Sequence, residues 1–312
     1  MNKTIIVLIV AAALIVSGGL LFWAGLQKAD FDFSPKPSTD TYVVSKPFES
    51  ISVDTGVCDV RFAKTDGAFR AVCPKSERLN YIVVVKDGVL TISAMDMRQW
   101  YDFIGISQSG GELTVYLPES TYKSLYIKTD TGDITIPQDF SFASATLQSD
   151  TGDIDFSATV AGPLSVGVST GDVDIQHTTA NQLEVHSTTG DMELENVQVS
   201  GDVSLQSTTG EISAENVTCV NLHSQSRTGD TKLQNVLMGG TLEIATTTGA
   251  VKIENSDAGF VSITTDTGDV TGNFLSPKWF VTETDTGDTD VPLSREGGEC
   301  HITTDTGDIR FF

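Results

Sequence analysis

Between residues 131 and 307, a series of ten Thr-Gly pairs recurs at a nearly constant interval, and each step from one glycine to the next is 19 or 20 residues. A fixed period of this size is typical of stacked-repeat proteins, in which each repeat buries its apolar side against its neighbours. Such repetition argues against an enzyme, because a catalytic site needs unlike residues in one pocket. The ten glycines are Gly132, Gly152, Gly171, Gly190, Gly210, Gly229, Gly249, Gly268, Gly287 and Gly307.

Apolar and polar residues alternate on both sides of each Thr-Gly pair. Leu164 and Val166, for example, precede Gly171 by seven and five residues, and Val173 and Ile175 follow it by two and four. Alternation with a period of two is typical of a strand with one buried face. Each repeat is therefore predicted to contain two short strands, with a first turn at the glycine, which adopts backbone conformations that other residues resist.

A second turn is predicted five to eleven residues after each glycine, where proline, glycine and asparagine concentrate. Asn196, Asn216, Asn235 and Asn255 all lie six residues after their glycine, and they would stack into a ladder if the repeats are in register. Two strands and two turns, always wound the same way, predict an all-β, two-sided β-solenoid of about ten rungs, each adding about 4.8 Å. A meander or propeller built from Thr-Gly hairpins is the alternative, but the nearly constant period favours the solenoid.

Residues 48–124 precede the solenoid repeats of residues 125–312 and are predicted to form an irregular β-rich cap, since terminal repeats are commonly atypical. Within this cap, residues 54–56 (Asp-Thr-Gly) resemble a degenerate first rung. Asp-Gly pairs at residues 66–67 and 87–88 lie between alternating runs and predict hairpin turns.

The alternation in the cap breaks between Met95 and Gly111, around a cluster of aromatic and apolar residues. This segment is predicted to cover the open end of the solenoid, with a contact surface as the alternative. Its residues are Trp100, Tyr101, Phe103 and Ile104.

Residues 5–26 form an apolar run of 22 residues without a charge. At about 1.5 Å per residue, a helix of this length crosses a hydrocarbon core of about 30 Å. Because the run continues past Ser17 and Gly18 to Trp23, residues 1–30 are predicted to be an uncleaved transmembrane helix and not a signal peptide. Residues 31–47 contain three prolines and are predicted to be a stalk. The acidic, turn-rich remainder predicts a single-pass protein of the cell membrane, with a cytoplasmic amino terminus and an extracellular carboxyl-terminal domain.

The formal net charge of the chain is −23. This charge argues against nucleic acid and anionic lipid as partners. It favours cations or basic surfaces as partners, and the solubility of a long β-rich surface is the alternative explanation.

The four cysteines, Cys58, Cys73, Cys219 and Cys300, form no Cys-x-x-Cys pair. A zinc ribbon or a thioredoxin-like redox site therefore has no support. Outside the cell, Cys58 and Cys73 could bridge neighbouring strands.

Three repeats read Thr-Asp-Thr-Gly-Asp followed by Ile or Val, at residues 129–134, 265–270 and 304–309. With the apolar run, the stalk and the strand-rich cap, these motifs make the chain resemble a bacterial family of putative adhesins with β-strand repeats, a domain of unknown function common in Gram-positive bacteria. The resemblance covers about residues 40–312. It implies a β-rod and a surface location, and it supplies no catalytic residues. The repeats that contain Arg227 and Ala250 depart from the acidic motif.

Asp-Thr-Gly is also the active-site tripeptide of aspartic proteases, in which two such aspartates share a proton. Repeated copies at turn positions are what turn chemistry alone produces, so the sequence does not favour a protease. The aspartates of these tripeptides are Asp54, Asp130, Asp150, Asp266, Asp285 and Asp305.

In five repeats, aspartates flank the Thr-Gly turn on both sides. Carboxylates stacked about 4.8 Å apart repel each other by about 1 kcal/mol even in water, and a calcium ion would relieve this repulsion. The alternative is that each carboxylate accepts a local backbone N–H and stays solvated. The spacing matches neither the EF-hand loop nor the glycine-rich calcium repeat. The candidate calcium ligands are Asp130, Asp133, Asp150, Asp153, Asp266, Asp269, Asp285, Asp288, Asp305 and Asp308.

The sequence therefore predicts a non-enzymatic, membrane-anchored, extracellular β-repeat protein. As an adhesin or surface interaction module, it would bind a surface protein or glycan that the sequence does not identify. The alternative function is a component of cell-envelope stress regulation that senses a ligand or a membrane partner.

The chain ends five residues after Gly307, so the last strand is predicted to leave Ile309, Phe311 and Phe312 at the tip of the rod. Exposed strand edges are usually protected. We therefore expect either a loop folded back from the same chain or a second copy docked end to end to cover this tip.

Overall fold

The computed structural model describes residues 38–75, 79–96 and 111–312. The predicted anchor over residues 1–30, the first part of the predicted stalk over residues 31–47, and the aromatic segment around Trp100 lie outside the described residues. Within the described ranges, no helix is long and apolar enough to cross a membrane.

Each repeat contributes one strand to each of two long sheets. The strand before the Thr-Gly turn lies in the sheet that we name the front sheet, and the strand after it lies in the back sheet. Neighbouring rungs pair in parallel and in register, as Leu164 pairs with Leu183 and Val166 with Val185. Hairpins would give antiparallel neighbours, so the meander and the propeller are excluded and the predicted β-solenoid is confirmed.

The described residues contain strands and no helix, and we number the strands in chain order. The cap strands are β1 (Thr39–Val43), β2 (Ser50–Val57), β3 (Asp59–Lys64), β4 (Arg70–Pro74), β5 (Leu79–Lys86), β6 (Val89–Asp96) and β7 (Glu112–Leu117). The repeat strands up to the middle of the rod are β8 (Thr121–Thr131), β9 (Ile134–Ile136), β10 (Ser141–Thr151), β11 (Ile154–Phe156), β12 (Thr159–Val160), β13 (Pro163–Thr170), β14 (Val173–Gln176), β15 (Thr179–Ala180), β16 (Gln182–Thr189), β17 (Met192–Glu195), β18 (Gln198–Val199) and β19 (Val203–Thr209). The remaining strands are β20 (Ile212–Glu215), β21 (Thr218–Cys219), β22 (Leu222–Thr228), β23 (Thr231–Gln234), β24 (Leu237–Met238), β25 (Thr241–Thr248), β26 (Val251–Ser256), β27 (Phe260–Thr267), β28 (Val270–Phe274), β29 (Lys278–Thr286), β30 (Thr289–Asp290), β31 (Gly298–Thr306) and β32 (Ile309–Phe311).

The central rungs have a third side, which corrects the two-sided prediction. Strands β15, β18, β21 and β24 form a short parallel side sheet. In the Gly190 rung, Val197 and Val199 point into the core on this side and are buried. Sequence periodicity assigned this stretch to a turn because two strand residues are too few to show alternation.

An asparagine makes the bend between the back sheet and the side sheet. Asn196, Asn216, Asn235 and Asn255 have φ between 49° and 55°, in the left-handed region that asparagine tolerates better than most residues. The amide of Asn216 donates to Oδ1 of Asn196 at 3.2 Å, and that of Asn235 donates to Asn216 at 3.1 Å. The predicted asparagine ladder is confirmed for Asn196, Asn216 and Asn235, whereas Asn255 accepts from the amide of Asn273 at 3.2 Å.

The Thr-Gly turn brings the main chains of two rungs into direct contact. Gly190 has φ 135°, and a Cβ added to it would lie 1.9 Å from the carbonyl oxygen of Gly171 in the preceding rung. The same approach, at 1.9–2.3 Å, recurs at all ten repeat glycines. Any side chain at this position would therefore push the rungs apart.

The last two rungs are stacked out of sequence order. In the front sheet β31 lies between β27 and β29, so the Gly307 rung is inserted between the Gly268 and Gly287 rungs. Phe311 is buried, and its ring centroid lies 5.2 Å from those of Phe274 and Phe280. Ile309 and Phe311 therefore do not lie at the tip, because the Gly287 rung of the same chain covers them. Of the two expected covers, the structure has the one from the same chain, although a complete rung and not a loop provides it. Phe312 remains 85% exposed.

A buried lysine fixes the crossing that makes room for the inserted rung. Lys278 lies beside Gly298 of the inserted strand, and its side chain reaches the preceding rung. Its Nζ donates to Ala258 O and to Ser276 Oγ, both at 2.8 Å, and forms an ion pair with Asp257. Burial alone would raise the pKa of Asp257, but the hydrogen bonds from Lys278 and Ser276 and the Lys278 charge lower it.

The cap repeats this out-of-order stacking at the opposite end. Strands β2 and β3 continue the rod beyond the Gly132 rung, and β6 and β7 stack outside them. The predicted degenerate rung exists, but Thr55 pairs with Thr129, which places Cys58 and not Gly56 at the glycine position.

Two further expectations for the cap are corrected. Strands β5 and β6 form an antiparallel hairpin at residues 87–88 as predicted, whereas β7 separates β3 from β4, so residues 66–67 do not close a hairpin. Residues 39–43, placed in the stalk from sequence, form β1 and pair with β4 in antiparallel fashion, where Tyr42 packs against the core.

Replacing Gly190 by Ala is expected to lower the free energy of unfolding by roughly 2–4 kcal/mol, through backbone strain and the lost contact with Gly171. Gly167, on the outer side of the front sheet, has nothing within 4 Å of an added Cβ. Gly167→Ala is therefore the matched control, and it should be neutral or stabilise by roughly 0.4–1 kcal/mol. Chemical denaturation measures both effects, and equal stabilities would contradict the close stacking.

Candidate functional site

The outer side of the back sheet carries a surface that we name the acidic face. Its side chains lie three or five residues after the repeat glycine and point away from the core. The 98 residues from Thr129 to Ser226 contain 15 acidic residues and no lysine or arginine, so no cation from this segment neutralises the surface. The acidic face consists of Asp155, Asp174, Glu193, Glu195 and Glu215.

A second row of acids, directly after the glycines, has a structural task. Oδ1 of Asp153 accepts the backbone N–H of Asp172 at 2.8 Å, and Oδ1 of Asp172 accepts that of Asp191 at 2.8 Å. This aspartate ladder explains why an acid follows most of the glycines, since each carboxylate satisfies a main-chain donor of the next rung. One run joins Asp59, Asp133, Asp153, Asp172, Asp191 and Glu211, and a second joins Asp269, Asp308 and Asp288.

The acidic face is electrostatically strained. Desolvation by burial, followed by the charges of Asp153 and Asp133, raises the pKa of Asp155. Desolvation, followed by the charges of Glu193 and Asp155, also raises the pKa of Asp174. Like charges and partial burial both disfavour the ionised carboxylate, so the folded protein loses stability by keeping these groups charged at neutral pH.

Paired cations border the acidic face at both ends. Arg61 lies 2.9 Å from Glu112 on the cap side, and Lys232 lies 2.8 Å from Glu211 on the other side. Each cation already has a carboxylate partner. Within the described residues, no lysine or arginine forms an ion pair with the carboxylates between them.

The ten candidate calcium ligands lie at the turns, as the sequence predicted. The five before the glycine (Asp130, Asp150, Asp266, Asp285 and Asp305) are exposed, and the inserted rung places Asp305 between Asp266 and Asp285. In the part of the chain that the structure describes, no group of three or more His, Cys, Asp or Glu side chains is arranged to hold a metal ion. Calcium binding at these turns stays a prediction.

The front sheet aligns a serine, a histidine and a glutamate that sequence analysis did not connect. Ser204 pairs with His223 and His223 with Glu243 in register, and His223 Nδ1 lies 2.9 Å from Glu243 Oε2. They line a shallow depression with Gln206 and Gln225. The three groups differ from a catalytic triad in being half-exposed on an open sheet, whose main-chain N–H groups lie in the sheet plane and cannot form an oxyanion hole.

The four cysteines are buried free thiols. Strand β7 lies between the strands near Cys58 and Cys73, a separation of about 10 Å that exceeds the reach of a disulfide. The proposed bridge between neighbouring strands is therefore not formed. Burial raises the pKa of Cys73, Cys219 and Cys300 to about 12, so these thiols are unreactive at neutral pH.

The sequence matches the family model described as Toastrack DUF4097 over residues 48–219 and 200–311. The chain belongs to this family. The resemblance drawn from the Thr-Gly-Asp repeats is thereby confirmed. A comparison of this Toastrack chain with curated proteins gave no match.

Several solved structures are similar to this Toastrack chain over most of its length. A putative adhesin from Bacteroides fragilis is 19% identical, with 89% of this chain and 98% of that chain covered and a TM-score of 0.45. A putative adhesin from Parabacteroides distasonis is 13% identical, with 88% and 97% covered and a TM-score of 0.40. A putative cell adhesion protein from Clostridium sporogenes is 13% identical, with 88% and 99% covered and a TM-score of 0.23.

Replacing Asp174 by Asn is expected to stabilise the protein near pH 7. Because the pKa of Asp174 is raised above 3.8 in the folded state, its folded form binds the proton more tightly than the unfolded chain does. Its contribution to stability therefore increases as pH falls from 7 through the raised pKa. We expect the variant to melt roughly 1–2 °C higher at pH 7, an advantage that disappears near pH 4.

Glu184→Gln, which removes one charge from the front sheet, is the matched control. Thermal melting followed by circular dichroism at pH 4, 5 and 7 measures both variants. The same pH-dependent gain in both would show that net charge, and not crowding on the acidic face, is responsible.

Calcium binding predicts a melting temperature a few degrees higher in millimolar calcium than in chelator, because an ion that binds only the folded state stabilises it. The increment should disappear when Asp305 and Asp308 of the inserted rung both become Asn. Magnesium at the same concentration serves as the control. Identical melting in calcium and chelator would contradict the prediction.

Proposed function

We propose that this chain is a membrane-anchored, extracellular β-rod that works as a non-enzymatic adhesin or surface interaction module. The observation that carries the proposal is the acidic face, a negative surface that extends over four successive rungs of a repetitive scaffold, or about 19 Å. Because the backbone of the rod is already ordered by its hydrogen-bonded sheets, it presents such a surface with little loss of backbone entropy on binding.

The chemistry of the acidic face indicates a cationic partner. Unpaired carboxylates at regular spacing attract a basic protein surface or an amino-bearing glycan, and they speed its encounter through long-range electrostatics. Burial first, and neighbouring like charges second, raise the pKa of Asp155 and Asp174. The second cause supports the proposal, because a bound cation would relieve the repulsion between these carboxylates.

The remaining features fit an interaction module better than an enzyme. The aligned Ser204, His223 and Glu243 lie on an open, solvated surface, and the buried thiols are unreactive. The apolar run over residues 5–26 supports a membrane anchor, and the acidic rod that follows supports an extracellular location.

The test is surface plasmon resonance of the purified full chain over immobilised polylysine, chitosan, polyglutamate and dextran sulfate. We expect binding to the two cationic polymers only, weakened steeply between 50 and 500 mM salt, as screening demands. Changing Asp155 and Asp174 to Asn and Glu193 to Gln should weaken binding at least tenfold.

The control variant changes Glu184 and Glu243 to Gln and Asp202 to Asn. This removes the same number of charges from the front sheet and the turn that leads into its strand β19. It should bind as the unchanged chain does. An equal loss of affinity in both variants would show that binding depends only on net charge, and it would contradict a role for the acidic face. Failure of an antibody against the rod to label intact cells, with labelling after the cells are permeabilised, would contradict the extracellular location. A ligand that alters transcription of envelope genes through this chain, without adhesion, would favour the sensing alternative.

A further inference from the structure

The carboxyl-terminal end of the rod presents an unpaired strand. The Gly287 rung is the outermost rung at this end, and its strand β29 is the terminal strand of the front sheet. One edge of β29 pairs with the inserted strand β31 along its whole length. Within the described residues, no strand lies beside its other edge.

The main-chain groups of this free edge point toward a missing neighbour. In the inner rungs, the N–H seven residues before the glycine donates to the following rung, as Leu183 donates to Asp202 O at 3.0 Å and Val203 to Asn221 O at 2.9 Å. Phe280 occupies this position in the Gly287 rung. A row of such unpaired N–H and C=O groups can bind an extended peptide as an added strand, because the main-chain groups of the peptide have the same spacing as those of the edge.

The side chains of β29 leave this edge accessible. Trp279 and Val281 lie on its outer side and are 42% and 44% exposed. Natural edge strands are usually blocked by an exposed lysine, a proline or a bulge. The lysine of β29, Lys278, is only 3% exposed and is paired with Asp257, so it does not shield the edge.

The charges around the edge are negative. Glu283 and Asp285 on the strand, and Asp288 and Asp290 beyond the turn, are all exposed. Residues 125–312 contain 29 acidic and seven basic residues, so a second copy of this rod would bring like charge to the edge. These acids disfavour self-association and favour a basic partner.

We propose that β29 is a docking strand for an extended, basic segment of a partner protein, which adds to the front sheet as its next strand. Basic residues of that segment lie on the outer side, over Trp279 and beside Glu283, where cation–π and ionic contacts are available. The alternate residues are apolar and cover the open end of the core at Phe280. The inference rests on the proposed function as an interaction module and names one site and one class of partner for it.

The experiment measures fluorescence anisotropy of a labelled octapeptide that alternates lysine and valine, titrated with the full chain. We expect saturable binding. Two N-methylated versions of the peptide are compared, one methylated on its lysines and one on its valines. The N–H groups of alternate residues point to opposite edges of a strand, so only one version loses the donors that face β29 and should bind at least tenfold more weakly than the other. A peptide that alternates glutamate and valine should not bind.

Val281→Lys places a like charge on the edge and should weaken binding at least tenfold. Leu237→Lys is the matched control, because Leu237 is 45% exposed on the side sheet, far from β29 in the order of rungs, and it should bind normally. Both substitutions replace exposed apolar residues, so both variants should fold.

Three results would overturn the proposal. The first is no saturable binding. The second is equal binding of both N-methylated peptides, which would show that charge accounts for the binding without main-chain pairing. The third is concentration-dependent dimers of the unchanged chain that Val281→Lys abolishes, which would assign the edge to a second copy. None of these experiments changes a residue of the acidic face. The proposed function is therefore tested independently of the docking strand.

Discussion

The contact between the glycine of one rung and the carbonyl oxygen of the glycine before it sets the spacing of the whole rod. Three positions of the repeat depend on this contact. The glycine has no Cβ because a Cβ would overlap the neighbouring carbonyl. In several rungs the serine or threonine three residues earlier donates to the glycine of the adjacent rung, as Ser149 does to Gly132 O at 3.3 Å. In the central rungs, this position is a buried hydroxyl that has no partner in the described structure, as at Ser187 and Ser207. The acid that follows accepts the N–H of the next rung, as Asp153 does from Asp172. The recurring Thr-Gly-Asp motif is therefore explained by the close contact between the main chains of two rungs at this turn.

This junction explains why so much of the fold could be predicted from the sequence. The period gave the number of rungs, the alternation of apolar residues gave the two long sheets, and the common offset of Asn196, Asn216 and Asn235 gave the register. The side sheet could not be predicted, because strands of two residues such as β18 have no period. An apolar pair one and three residues after the asparagine, such as Val197 and Val199 after Asn196, nevertheless recurs after Asn216 and Asn235. This pair is the signal that was missed.

The stacking order of the rungs could not be predicted from the sequence for a different reason. A solenoid rung is similar to its neighbours above and below, so its repeat motif does not say where it stacks. The inserted Gly307 rung differs from the others only in local details, namely the ring of Phe311 against Phe274 and Phe280 and the reach of Lys278 past Gly298. These are side-chain contacts between segments far apart in the chain, which periodicity does not encode. Insertion protects Phe311 and transfers the free edge from β32 to β29 and β30.

The acids of this chain separate into two groups once their contacts are known. The aspartates of the ladder satisfy main-chain donors, so their charge has a structural use that the sequence already indicated as turn chemistry. The acidic face was missed because its residues follow no motif, although the absence of lysine and arginine from 98 consecutive residues was a readable signal. Asp174 accepts one hydrogen bond from Gln176, its Oδ1 has no partner in the described structure, and its pKa is raised by burial and by its neighbours.

Asparagine at position 174 would keep the hydrogen-bonding capacity without the charge. The charges of Asp155 and Asp174 lower the stability of the rod and satisfy no main-chain donor of the next rung, unlike those of the ladder. Proteins retain groups that cost stability where function requires them. The structural cost of the acidic face is therefore itself an argument that these carboxylates face a partner.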